Sequence, residues 1–119
     1  MQPHKKITAA LIAANESGRT GLVAFITAGY PEPEQFIATL QAVASASDVV
    51  EIGVPFSDPM ADGMTIQRSS FKAIENGVTL RWIFSELERS GKAISAPLVM
   101  MSYLNPLLAF GYERLAERA

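Results

Sequence analysis

Two hydrophobic rhythms alternate along this chain. Three mostly apolar runs, LVAFITAG from Leu22, DVVEIGV from Asp48 and APLVMMSY from Ala96, are too short for helices, and the first is continuous. Each reads as a buried strand, the first opened by Gly21 and the third by Pro97. Between them the spacing is helical. The opening MQPHKKITAALIAANESG has a basic start and a short apolar stretch from Ala9 to Ala14, followed by polar residues. That pattern predicts an amphipathic helix, not a signal peptide. Pro31 and Pro33 mark the next helix start, with Glu32 and Glu34 where the helix dipole favours acids. Phe36, Ile37, Leu40 and Val43 then recur at helical spacing. In TIQRSSFKAIENG, Ile66, Ser70 and Ile74 share a face and Gly77 supplies the stop. Thr79 is placed to cap a further helix with Leu80, Ile83, Phe84 and Leu87 as its buried stripe. A last helix is expected to start near Pro106.

Alternating strand and helix predict an α/β fold with parallel strands and right-handed crossovers. Three such strands form a sheet with two open edges and too few helices to cover both faces. The final YERLAERA stops inside a helical pattern, with no glycine or proline to finish it. The expectation is one domain over residues 1–119, the front part of something larger.

Composition narrows the function classes. Apolar residues make up 49% and charged ones 18%, a globular balance. A formal charge of -2 argues against non-specific nucleic-acid binding, which needs a basic face. Without cysteine there are no disulfides and no thiolate metal sites, and a reducing compartment suits the chain. No run approaches the ~20 apolar residues of a membrane span, so a cytoplasmic protein is expected.

The second strand carries an anomaly. In VVEIGVPFSDPMADG, residues 49–63, Glu51 interrupts an apolar run, and Asp58 and Asp62 follow in a loop rich in proline and glycine. Strand alternation puts Val49, Glu51 and Gly53 on one face and Val50, Ile52 and Val54 on the other. The all-branched face suits packing against helices, and the mixed face leaves room for something else. Glu51 also lies near the C-terminal end of its strand, where parallel α/β folds place ligands. Burial there disfavours the charged form, which suits a group that both gives and takes protons. A glutamate bonded to backbone amides or to a core lysine explains the position equally well. Alone, the two aspartates read as turn residues. The loop lacks the alternating oxygen ligands of an EF-hand. SGRTG lacks the ending of a phosphate loop. His4 carries no assigned chemistry, and Trp82 reads as packing on an amphipathic helix.

Taken together, these segments resemble the tryptophan synthase alpha chain family. EIGVPFSDPMADG matches its signature, VAFITAGYP its first strand and turn, and MSYLNP its third-strand motif. TIQRSS and NGVT follow at the expected distances. Met64 departs from the family's usual proline. The resemblance implies a (β/α)8 TIM barrel, of which this chain supplies the N-terminal portion: about three strand–helix units after an N-terminal helix.

It also implies a reaction, the retro-aldol cleavage of indole-3-glycerol phosphate to indole and glyceraldehyde 3-phosphate in tryptophan biosynthesis. Glu51 matches the family's general acid–base residue, and Asp62 the carboxylate that bonds the indole N–H. Phe25 and Tyr103 match residues of the indole pocket. Asp58, Pro59, Asn105 and Pro106 match residues facing the tryptophan synthase beta chain, with which the family forms a heterotetramer of two alpha and two beta chains. No metal or organic cofactor is implied. The alternative is a truncated, catalytically inactive barrel fragment that acts only as an associating or structural chain.

Overall fold

The computed structural model describes residues 2–119. Its frame is a parallel sheet of three strands in the order β1 (Val23–Thr27), β2 (Val49–Gly53) and β3 (Leu98–Met101). The register puts Phe25, Glu51 and Val99 in one row and Thr27, Gly53 and Met101 in the next row of the same face, two positions on. Alternation then sorts the two faces as the sequence predicts. Val50, Ile52 and Val54 are buried, with Ile26, Leu98 and Met100 packed against them. The opposite face carries Phe25, Thr27, Glu51 and Gly53.

The branched face is covered by α2 (Phe36–Ser45) and α4 (Leu80–Ser90). Phe36, Leu40 and Ala44 of α2 meet the sheet beside Leu80, Ile83 and Phe84 of α4. The Phe36 and Trp82 rings pack at 5.4 Å, so Trp82 serves the core as expected. At the start of α4 the Trp82 N–H donates to Thr79 Oγ1 at 3.1 Å, the expected cap. The N-terminal helix α1 (Pro3–Glu16) lies against β2 and buries Ala14. His4 is exposed. A bidentate pair fixes the segment between α1 and β1. Arg19 donates to both oxygens of Asp48 at 2.7 and 3.0 Å, and the Leu22 N–H donates to Asp48 Oδ2 at 2.7 Å.

Two expectations are corrected and one is refined. The prolines at 31 and 33 lead first into a 3-10 turn, Pro33–Gln35, and α2 begins only at Phe36. On α3 (Met64–Glu75) the fully buried residues are Ser69, Ser70 and Ala73, so the buried side extends beyond the Ile66–Ser70–Ile74 face, whose isoleucines are half-buried. Small side chains let that helix sit close to β1. The last helical stretch is two helices, α5 (Leu104–Phe110) and α6 (Tyr112–Arg118), not one. Gly111 divides them at φ 97°, a conformation open to glycine. Arg118 of α6 ties back to α4, donating to Glu88 at 2.9 Å and lying over the Phe84 ring. Among the described residues no helix is long and apolar enough to cross a membrane.

Candidate active site

The mixed face of the sheet opens on a cleft of about 540 Å³. Its floor is Phe25 and Glu51, in register on adjacent strands. Gly53 is what makes the floor possible. A Cβ at that position would overlap the Phe25 ring, so the absence of a side chain lets the ring lie across β2 beside Glu51. Glu51 is half-buried and not enclosed as a core residue would be, because its side of the strand opens on the cleft.

One wall is the loop of residues 54–63, which brings Asp62 over the strand ends. Tyr103 stands just beyond β3 and completes that wall. Its ring packs on Phe56 at 5.2 Å, and its hydroxyl accepts the Ala61 N–H at 3.0 Å. Burial raises the Tyr103 phenol above its ordinary value, and the nearby Asp62 carboxylate acts in the same direction. The Ala61 N–H opposes both by stabilising the phenolate. The phenol therefore keeps its proton at neutral pH.

The structure thus gathers Phe25, Glu51, Asp62 and Tyr103 around one cleft. Asp58 and Pro59 lie in the same loop but do not line it, Asp58 being exposed and Pro59 half-buried. Asn105 and Pro106 occupy the first turn of α5, Asn105 exposed and Pro106 half-buried. Among the described residues no group of three or more histidine or acidic side chains converges on a possible metal position.

Sequence reasoning missed a pair of hydroxyls at the edge of the cleft. Thr27 Oγ1 and Ser69 Oγ are 2.7 Å apart and buried, linking the end of β1 to α3, and Ser69 Oγ also lies 3.0 Å from the Ile66 carbonyl. Thr27 was within reach of the alternation argument, since it lies two residues beyond Phe25 on the same face. Ser69 gave no such signal, because a serine in a helix reads as solvent-facing until its neighbours are known.

Comparison with known proteins decides the family. The sequence profile described as tryptophan synthase alpha chain matches residues 11–119. The chain belongs to the tryptophan synthase alpha chain family. It is 47% identical over 107 residues to the alpha chain of Nitratidesulfovibrio vulgaris strain DP4, covering 89% of this chain and 42% of that one. With the alpha chain of Aromatoleum aromaticum it shares 48% identity over 106 residues, 87% of this chain and 39% of the relative. Among solved structures, the alpha subunit from Legionella pneumophila superposes with a TM-score of 0.86 at 33% identity, over 95% of this chain and 44% of that one. The tryptophan synthase complex of Pyrococcus furiosus gives 0.75 at 36% identity, over 83% and 41%. The chain therefore spans less than half the length of these relatives, and its fold is a partial TIM barrel of the family.

Proposed function

We propose that this chain carries the two reacting carboxylates of a lyase that cleaves indole-3-glycerol phosphate to indole and glyceraldehyde 3-phosphate. The observation that carries this reading is the meeting of Glu51 and Asp62, from a strand and a loop, at the C-terminal ends of parallel strands. Retro-aldol cleavage needs the indole ring to become an electron sink, which protonation at its C3 achieves. It also needs a base for the hydroxyl proton beside the breaking bond. Glu51 performs the two proton transfers in turn. Asp62 accepts the indole N–H and offsets the positive charge that develops there. Phe25 and Tyr103 supply flat apolar surface for the ring, in keeping with a cleft that is mostly carbon-lined. The substrate's phosphate is left to groups outside these 119 residues.

The same reading assigns the beta chain of tryptophan synthase as partner, with Asp58, Pro59, Asn105 and Pro106 on the shared surface. Its support is the family and the exposure of Asp58 and Asn105 on the same side as the strand ends.

The test is indole release from indole-3-glycerol phosphate by the full-length natural protein and its Glu51→Gln variant. The amide keeps the shape of the side chain but cannot cycle a proton. Turnover should fall ~10²-fold or more, with folding and substrate affinity retained. A variant that keeps more than about a tenth of the turnover overturns the acid–base role.

A further inference from the structure

Of the two cleft carboxylates, Asp62 is the one on a loop, yet its backbone is held on every side. Its N–H donates to the Pro59 carbonyl at 3.1 Å, and its own carbonyl accepts from Gln67 Nε2 at 2.8 Å. The N–H of Ala61, just before it, donates to Tyr103 Oη at 3.0 Å. The bond to Pro59 stays within the loop. The other two reach the loop from fixed elements, the first turn of α3 and the end of β3. Gln67 is half-buried, and its own N–H donates to the Gly63 carbonyl at 3.0 Å as α3 begins. Gly63 has no side chain to cap the helix, so the Gln67 amide is what joins the helix start to the loop.

We infer that Gln67, acting with Tyr103, is a positioning residue for Asp62. A residue whose N–H and C=O are both engaged has both backbone torsions fixed, and only its side-chain torsions remain free. Stabilisation of a developing charge depends on a group already aimed before the reaction, and a shift of about 1 Å costs much of it. Gln67 touches no reacting atom in this scheme. It acts on the chemistry through the aim of Asp62.

A purely structural role, support for the start of α3, makes a different forecast. An acidic side chain near a helix N-terminus is favoured by the helix dipole. Gln67→Glu therefore keeps the helix start while removing the N–H donor and setting a negative charge against the Asp62 carbonyl. Gln67→Lys retains a donor of similar reach. The kinetic readout rests on the lyase reading above, whereas the clamp itself is read by amide exchange.

The experiment compares both variants in the full-length natural protein by kcat, KM, Tm and hydrogen exchange over residues 58–63. Gln67→Glu should lower kcat about tenfold or more with little change in KM or Tm, and speed exchange in the loop. Gln67→Lys should keep more of both kcat and protection. A Gln67→Glu variant with wild-type kcat overturns the inference, as does a kcat loss that tracks Tm with exchange unchanged. If the wild-type protein releases no indole, the lyase reading fails and exchange alone decides. Unaltered protection in Gln67→Glu then sinks the clamp.

Discussion

The ring of Phe25 occupies the space that a side chain at Gly53 would need. The two residues belong to adjacent strands two positions out of register, so the ring lies across the strand that carries Glu51. Gly53→Ala should expel the ring and cost about 1–3 kcal/mol through overpacking. Unfolding in urea measures the loss. Combining Gly53→Ala with Phe25→Leu should recover part of it, a coupling expected of residues in contact. Strict additivity of the two substitutions would refute the contact.

That pair also shows how far the sequence could be read. The period of two in DVVEIGV was enough to separate the face of Glu51 from the face of Val50 and Ile52, because strand alternation is rigid. It showed that the mixed face leaves room but not that the Phe25 ring fills the space at Gly53, since that neighbour comes from another strand. The glycine that splits the final helical stretch was overlooked because the apolar spacing of Leu107, Phe110 and Leu115 continues across Gly111. The Gln67 amide escaped for a different reason. Its partner is a backbone carbonyl, and no residue type in the sequence marks which carbonyl a loop will present.

Asp62→Asn separates charge from hydrogen bonding at the loop carboxylate. On the proposed lyase reading, the amide oxygen would still accept an indole N–H but would no longer offset positive charge. Steady-state kinetics on the full-length protein should show kcat falling sharply while KM changes less. A variant that keeps its kcat and loses only affinity would make Asp62 a binding residue.

Asp48 supplies a pH prediction. The hydrogen bonds from Arg19, then that from the Leu22 N–H, lower its carboxyl from 3.8 to about 2. A lowered carboxyl contributes stability above its unfolded value and loses it as pH falls through the folded one. The contribution is thus complete above about pH 4 and disappears between about 4 and 2. Thermal unfolding of Asp48→Asn should match the parent near pH 2 and fall below it at pH 6. A difference that does not change between those two pH values would refute the assignment.

The sheet of this chain has β2 at its centre and free outer edges on β1 and β3. Val23 and Met101 on those strands are 44% and 52% exposed. Neither strand carries a lysine or an interior proline to discourage pairing. At ~25 cal/mol per Å² of exposed apolar surface, association is strongly favoured. Light scattering on the purified 119-residue polypeptide should report assemblies larger than a monomer, and that polypeptide should release no indole. A stable monomer with turnover would contradict both expectations.

The hydroxyl bond between Thr27 and Ser69 has a mechanical consequence. It nails the second turn of α3 to the end of β1 in a buried contact, where breaking it would leave Thr27 Oγ1 without its partner while Ser69 Oγ kept the Ile66 carbonyl. The helix is therefore a post and not a lever. Any movement of Asp62 has to come from bending between the end of β2 and Gly63, within the limits that the Gln67 and Tyr103 bonds set. With Thr27→Val, α3 keeps its packing against β1 but the loop loses the polar bond that pins its base to the strand.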